Sequence, residues 1–270
     1  QEDVSFYLTV MNEAYQHPAM PDGAAQGILR GMYLLAPATA VAADAPRVQL
    51  LGAGTILREA IAAADMLGKD FGIAADVWSC PSFSELRRDG FQAERWNRLH
   101  PEQPERVPYV TSLLADRPGP VIAATDYVRG VADQIRAFMP AGRRYKVLGT
   151  DGFGRSDTRA NLRAYFEVDR RWIAYAAIEA LVRDGTLPHV RCRQSQGPLR
   201  HRHRQDRAST WLGATAMSST FTVQNVLPHQ VAYTTLGFEQ PWTMQNYERV
   251  GGWQAWRDII ARRPAPAGLI

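Results

Sequence analysis

The chain has 270 residues, 46% of them hydrophobic and 21% charged, which is globular composition with length for one good core and a second small one. No run approaches the ~18 uninterrupted apolar residues of a membrane-spanning helix, and two cysteines, Cys80 and Cys192, are too few for a disulfide framework and fit a reducing cytoplasm. The net charge of +4 resides in one stretch, Val190 to Trp211, whose six arginines and one aspartate give +5 and leave −1 for all the rest, so the basic balance says little about the folded body.

The chain opens on Gln1, with neither an initiator methionine nor a signal peptide, and reads as a fragment or a processed product. Residues 4–11, VSFYLTVM, are β-branched, aromatic and apolar and predict a strand. The loop NEAYQHPAMPDG follows, with two prolines that disfavour helix and a histidine, His17, that is read as solvated or structural before catalytic. Asp22 and Gly23 lead into a helical pattern through Ile28, Leu29, Met32 and Tyr33. Residues 37–47, rich in alanine and proline and without period, predict a linker.

From Val48 onward strands and helices alternate. Strands are predicted over 48–52, 72–79, 119–125 and 145–148, and helices over 56–69, 82–90, 128–138 and 169–183. Ser82 followed by Glu85 has capping-box spacing. The predicted fold is therefore α/β, a mainly parallel sheet with helices on both faces. Leu50, Leu51, Val77, Ile122, Val147 and Leu148 are its expected sheet core.

The stretch from Tyr145 to Asp169, YKVLGTDGFGRSDTRANLRAYFEVD, organises the rest. A short apolar strand runs into Gly149, Gly152 and Gly154, and a helix then carries Leu162, Tyr165 and Phe166 on one side. Ser156 or Asp157 can cap that helix. Glycines at the carboxyl end of a strand allow close approach of a ligand or of a partner chain, while a tight loop that closes the fold is the plainer reading. Asp151, Arg155, Ser156 and Asp157 put dense polarity on this loop. A guanidinium there suits a carboxylate or a phosphate, while loop-internal ion pairing and capping is the plainer reading.

Other chemistries have weaker signals. Gly52-Ala53-Gly54 after a strand resembles the start of a dinucleotide fingerprint, but Leu57 stands where the third glycine belongs, and Asp76, at the spacing of a ribose-binding acid, lies inside a strand. Cys80 and Cys192 stand alone, and His201 and His203 lack a third ligand, so no metal site is predicted. No Walker loop is present.

The GTDGFGRSD run followed by NLRAYFEVD, together with NEAYQHPAMPDGAAQGILRGMY, VQLLGAGTILREA, FSELRRDGFQAERWNRLHP, RVPYV and TDYVRGVADQIR, resembles the homodimeric-type pyruvate dehydrogenases over about residues 1–188. The resemblance implies that 1–36 end a pyrimidine-binding domain, and that 48–188 form a transketolase-type C-terminal domain with a structural, dimer-forming role. Family members bind thiamine diphosphate and magnesium between two preceding domains, decarboxylate pyruvate, and pass the acetyl unit to lipoyl groups on a dihydrolipoyl acetyltransferase core. Their diphosphate- and magnesium-binding motif has no match here. The resemblance therefore implies no catalytic, cofactor or metal residue in this chain and no activity for it alone. A non-catalytic α/β binding or assembly module, or a nicotinamide-binding domain, are the alternative readings.

After Pro188 the likeness stops. Residues 189–216 lack core periodicity and predict an irregular basic stretch. A frame error accounts for it. A nucleic-acid-binding tail is the other reading, but its only aromatic through Trp211 is Trp211 itself. Residues 217–270, with YTTLGFEQPWTMQNYERVGGWQAWRDII, are similar to the N-terminus of the NADH-binding flavoprotein subunit of respiratory NADH dehydrogenase, and Trp242 to Ile260 predict a short helical patch.

Overall fold

Residues 48–52 become the central strand of one sheet because both of their faces are covered and all but Gln49 are apolar. The computed structural model describes residues 15–38, 42, 44–195, 243–249, 251 and 253–262. Strand β2 (Arg47–Gly52) lies between β3 (Ala74–Ser79) and β4 (Val121–Ala124), parallel to both. Strand β5 (Tyr145–Leu148) runs parallel to β4, and β1 (Tyr33–Ala36) closes the other edge antiparallel to β3. The order is β1-β3-β2-β4-β5.

Alternate residues of β2 serve two cores. Val48 and Leu50 join Val77 and Ile122 on one face, beneath α2 (Leu57–Phe71) and α7 (Arg170–Arg183), whose Leu67, Ile173 and Ile178 are buried there. Leu51, Trp78, Tyr145 and Val147 join Phe83 and Leu86 of α3 (Phe83–Leu99), Val110 of α4 (Tyr109–Leu114) and Ala132 of α5 (Arg129–Asp133) on the other face. The six expected core residues are all inside, Leu148 partly so. A buried polar cluster crosses the sheet: Gln49 donates to Asp76 and to the Pro118 carbonyl, each at 3.0 Å, and accepts from the Trp78 indole at 2.8 Å. Every member has a partner, so the cluster fixes register without an orphaned group.

Five expectations change. Met32 and Tyr33 do not continue a helix. Helix α1 (Ala24–Leu29) stops, Gly31 takes a φ of 91°, and the chain turns into β1. A side chain at Gly31 would stand 2.5 Å from the Ser82 carbonyl, so the helix gives way to a tight crossing of the α3 cap. Residues 33–36, read as the end of a preceding domain, thus pair with this sheet. Helix α3 does not stop at Gly90 but runs to Leu99, because Gly90 is where the Phe138 ring lies against it. The 128–138 helix is divided, with α5 ending at Asp133 and a 3-10 turn over Arg136–Phe138. Finally, the start of the stretch read as irregular is helical: α8 (Val190–Ser195) follows α7, and Cys192 packs on its core.

The chain divides into two units, Gln1–Trp211 and Leu212–Ile270. In the second, the expected helical patch is two helices, α9 (Met244–Arg249) and α10 (Gln254–Arg262), parted by Gly251 and by Trp253 at a φ of 66°. Arg257 bridges back to Glu248 at 2.8 Å. The predicted strand at 4–11 and residues 196–242 lie outside the described residues.

Candidate functional site

The chain leaves β2 for β3 on one side and reaches β4 on the other. Loops after β2 and β4 therefore part between those strands, which is where open parallel sheets take ligands. A cleft of about 430 Å³ lies at that edge. Thr55 and Ile56 line it from the loop after β2, Asp126 from the loop after β4, and Thr150, Gly152, Gly154 and Arg155 from the loop after β5. Helix α6 (Arg159–Tyr165) adds Arg159, Leu162 and Arg163, and Phe166 and Val168 complete the wall.

The glycine-rich loop is held by its neighbour. A side chain at Gly149 would stand 2.8 Å from both the Tyr127 carbonyl and the Arg129 nitrogen, so this glycine admits the loop after β4. Thr150 donates its N–H to the Tyr127 carbonyl at 2.9 Å and its hydroxyl to the Asp126 carbonyl at 2.5 Å. The close approach anticipated for a ligand or partner is made by the chain itself.

The four loop residues separate. Asp151 accepts from the Arg129 backbone N–H at 2.8 Å and from its guanidinium. Partial burial pushes the Asp151 carboxyl up, but these Arg129 hydrogen bonds and charge outweigh it and lower the group overall. Arg155 lies 4.3 Å over the Tyr165 ring and lines the cleft. Asp157 accepts from the Thr158 N–H at 2.6 Å and the Asn161 amide at 2.8 Å. Thr158, not Ser156 or Asp157, caps α6, its hydroxyl accepting from the Asn161 N–H at 3.4 Å. Ser156 is solvent-exposed beside them.

Glu59 went unnoticed in the sequence. It lies in the first turn of α2, 5% exposed, and accepts from the Arg170 backbone at 3.0 Å and its guanidinium at 2.9 and 3.2 Å. Arg163 reaches the same carboxylate at 3.3 Å. Burial pushes the Glu59 carboxyl up, yet the Arg170 hydrogen bonds and the charges of Arg170 and Arg163 hold it below its ordinary value. Arg159 and Arg163 share one face of α6 by their i, i+4 spacing, a local signal of this wall that the sequence reading passed over.

The nicotinamide reading does not survive the geometry. A side chain at Gly52 would meet the Leu57 backbone at 2.8 Å, so this glycine serves strand–helix packing. The position where Gly54 opens toward a ligand faces Asp126, whose oxygen is 3.2 Å from a notional Cβ, and Thr55 donates to Asp126 at 3.3 Å. A carboxylate thus stands against the head of α2, where a pyrophosphate would be repelled. Asp76 is buried and occupied by Gln49 and by the Ala38 N–H at 2.8 Å, out of reach of a ribose.

Neither cysteine is an activated nucleophile. Burial pushes the thiols of Cys80 and Cys192 up, Cys80 strongly, the reverse of what a reactive thiolate needs. His17 is exposed, its ring 4.6 Å from that of Tyr15. Among the described residues no three His, Cys, Asp or Glu side chains are placed to hold a metal ion, and no helix is long and apolar enough to cross a membrane.

Residues 31–169 match the family described as the transketolase-like TK C-terminal domain. The chain belongs to the transketolase C-terminal domain family. The match begins at the turn before β1, ends at the cap of α7, and takes in the cleft of this transketolase-type domain. Among curated relatives, the pyruvate dehydrogenase E1 component of Pseudomonas aeruginosa is 59% identical over 187 residues, covering 69% of this chain and 21% of the relative. That of Escherichia coli K12 is 48% identical over 187 residues, with 69% and 20% covered. The chain thus spans about one fifth of the length of these relatives. A solved transketolase from Leishmania mexicana is similar over 60% of this chain and 20% of its own, at 22% identity and a TM-score of 0.38.

Proposed function

We propose that this chain is the C-terminal part of a thiamine-diphosphate-dependent pyruvate dehydrogenase component, which decarboxylates pyruvate and passes the acetyl unit to lipoyl groups. The identity of 59% over 187 residues with the Pseudomonas aeruginosa pyruvate dehydrogenase E1 component carries this reading. Within it, the domain supplies structure and a dimer surface rather than reacting groups. Its loop carboxylates Asp151 and Asp157 are occupied by Arg129 and by Thr158 and Asn161. Thiamine diphosphate with magnesium would be held by the rest of the enzyme, in a cytoplasmic homodimer that serves an acetyltransferase core.

A chimera tests the reading. The segment of the Pseudomonas aeruginosa enzyme that matches this chain is replaced by the matching residues of this chain. The folded chimera is expected to keep at least about a tenth of the parental pyruvate decarboxylation, and the present chain alone to release no carbon dioxide and to bind thiamine diphosphate no tighter than about millimolar. A folded, dimeric chimera without activity, or decarboxylation by the chain alone, overturns it.

We further propose that residues 189–216 record a frame error and that 217–270 derive from the start of a flavoprotein subunit. Sequencing the source DNA across codons 188–217 is expected to show a reading frame one base away that continues the family's terminus. An undisturbed frame with no such continuation sinks the idea.

A further inference from the structure

We propose that Phe153 is the tip of a flap that swings from solvent into the cleft at the carboxyl ends of β2, β4 and β5, so that the chain fills its own cleft. The device does not depend on the catalytic reading above. In the open form that the structure presents, Phe153 is 85% exposed, more than any other large hydrophobic among the described residues. Its two neighbours, Gly152 and Gly154, line the cleft, and the ring between them does not.

The cleft offers the ring a matching surface. Ile56, Leu162, Phe166 and Val168 give it an apolar wall. Its volume of about 430 Å³ is in the range of sites that take a whole small molecule, so a single phenyl ring fits.

The loop is built to move at one point only. Before the flap, Thr150 is held by Tyr127 and Asp126, and Asp151 by the Arg129 backbone and guanidinium. After it, Arg155 lies 4.3 Å over the Tyr165 ring. Between these anchors no hydrogen bond among the described residues holds Gly152, Phe153 or Gly154. Gly152 has a φ of 97°, and a side chain at Gly154 would have no atom within 4 Å. Glycine changes the sign of φ at little cost. Rotation at two glycines therefore carries the ring inward while both anchors stay in place, as in other hinges of a few residues.

The balance favours closure. Burying a phenylalanine side chain favours the closed form by at least about tenfold over leaving it in water. An apolar ligand of this cleft would have to displace the ring, and its apparent affinity falls by the fraction of chains that are open.

Nuclear Overhauser contacts in the 270-residue chain, with the methyl groups of isoleucine, leucine and valine labelled, test the flap. Contacts from the Phe153 ring, assigned by their loss in Phe153→Ala, are expected to the methyls of Ile56 and Leu162. Phe153→Ala should also lower the melting temperature by at least about 3 °C, whereas truncating a ring that stays in water leaves it within about half a degree. Absence of those contacts, contacts to the exposed Val128 methyls in their place, or a variant that melts with the wild type overturns the proposal.

Discussion

Glu59→Ala is expected to lower the unfolding free energy by about 3 kcal/mol and the melting temperature by roughly 6–12 °C, read from urea and thermal denaturation at pH 7. The wild-type carboxylate is 5% exposed and holds two guanidiniums from distant parts of the chain. Removing it leaves Arg163, 17% exposed, beside no counter-charge. Arg170 is half exposed and recovers water, which keeps the loss at the low end of what breaking a buried pair costs. The effect has a definite pH dependence. Burial raises the Glu59 carboxyl, but Arg170 and Arg163 outweigh it, so its folded value lies below the ordinary value of 4.5. Its stabilising contribution is therefore complete above that ordinary value and disappears as pH falls through the lowered folded value. The gap between wild type and variant should shrink as acid is added. A gap of constant size from neutral pH to about pH 2 would mean that packing, not charge, explains the loss.

Gly119→Ala should be more damaging still, with a loss of about 4 kcal/mol or more, or failure to accumulate folded protein. The residue has a φ of 90°, and an added Cβ would lie 1.7 Å from the Arg47 carbonyl oxygen and 2.5 Å from its carbon. Both neighbours are backbone, so no rotamer relieves the clash. Arg47 opens the central strand, and one residue beyond Gly119 the Pro120 carbonyl accepts from Gln49 at 2.9 Å. The substitution thus strikes the first rung between β2 and β4. Gly68→Ala is the control. It lies within α2 with no atom within 4 Å of the added carbon, and should stabilise by about 0.5–1 kcal/mol. Thermal melts of the two variants decide the matter. If Gly119→Ala melts within a few degrees of wild type, the crossing at Arg47 is looser than the geometry says.

What could be read in the sequence was what depends on near neighbours. The runs of β2 and β4 stood out because strands covered on both faces need no alternation, whereas the edge strand β5 alternates, with Lys146 exposed. The Ser82 cap is realised as written, its hydroxyl accepting from Glu85, and Asp169 caps α7 by accepting from Arg171 and Trp172. Thr158 won over Ser156 and Asp157 because three good capping residues in succession give no local ground for choice. The limits of α1 and α3 were misplaced for one reason. Whether Gly31 or Gly90 ends a helix depends on Ser82 and Phe138, which arrive from elsewhere. The glycine-rich loop was found, but its polarity was assigned as a set, and the structure spends Asp151 on Arg129 while sending Arg155 to the cleft. Asp126 and Glu59, which shape that cleft, sit in helical and loop contexts where single carboxylates carry no signal.

The Glu59 network also sets an order in time. Its partners Arg163 and Arg170 are 104 and 111 residues further along the chain. During synthesis β2, α2 and β3 emerge as a local unit, whose loop closures are short and fast. The flank of α2 that α7 later covers, with Ala60, Ala63 and Leu67 in the shared core, stays bare until Ile173, Ile178 and Leu181 have left the ribosome. At ~5–20 residues per second that interval lasts several seconds to tens of seconds. An apolar helix face open for so long is a natural client for a chaperone that holds nascent chains, and the docking of α7 onto Glu59 is the event that ends the need for it.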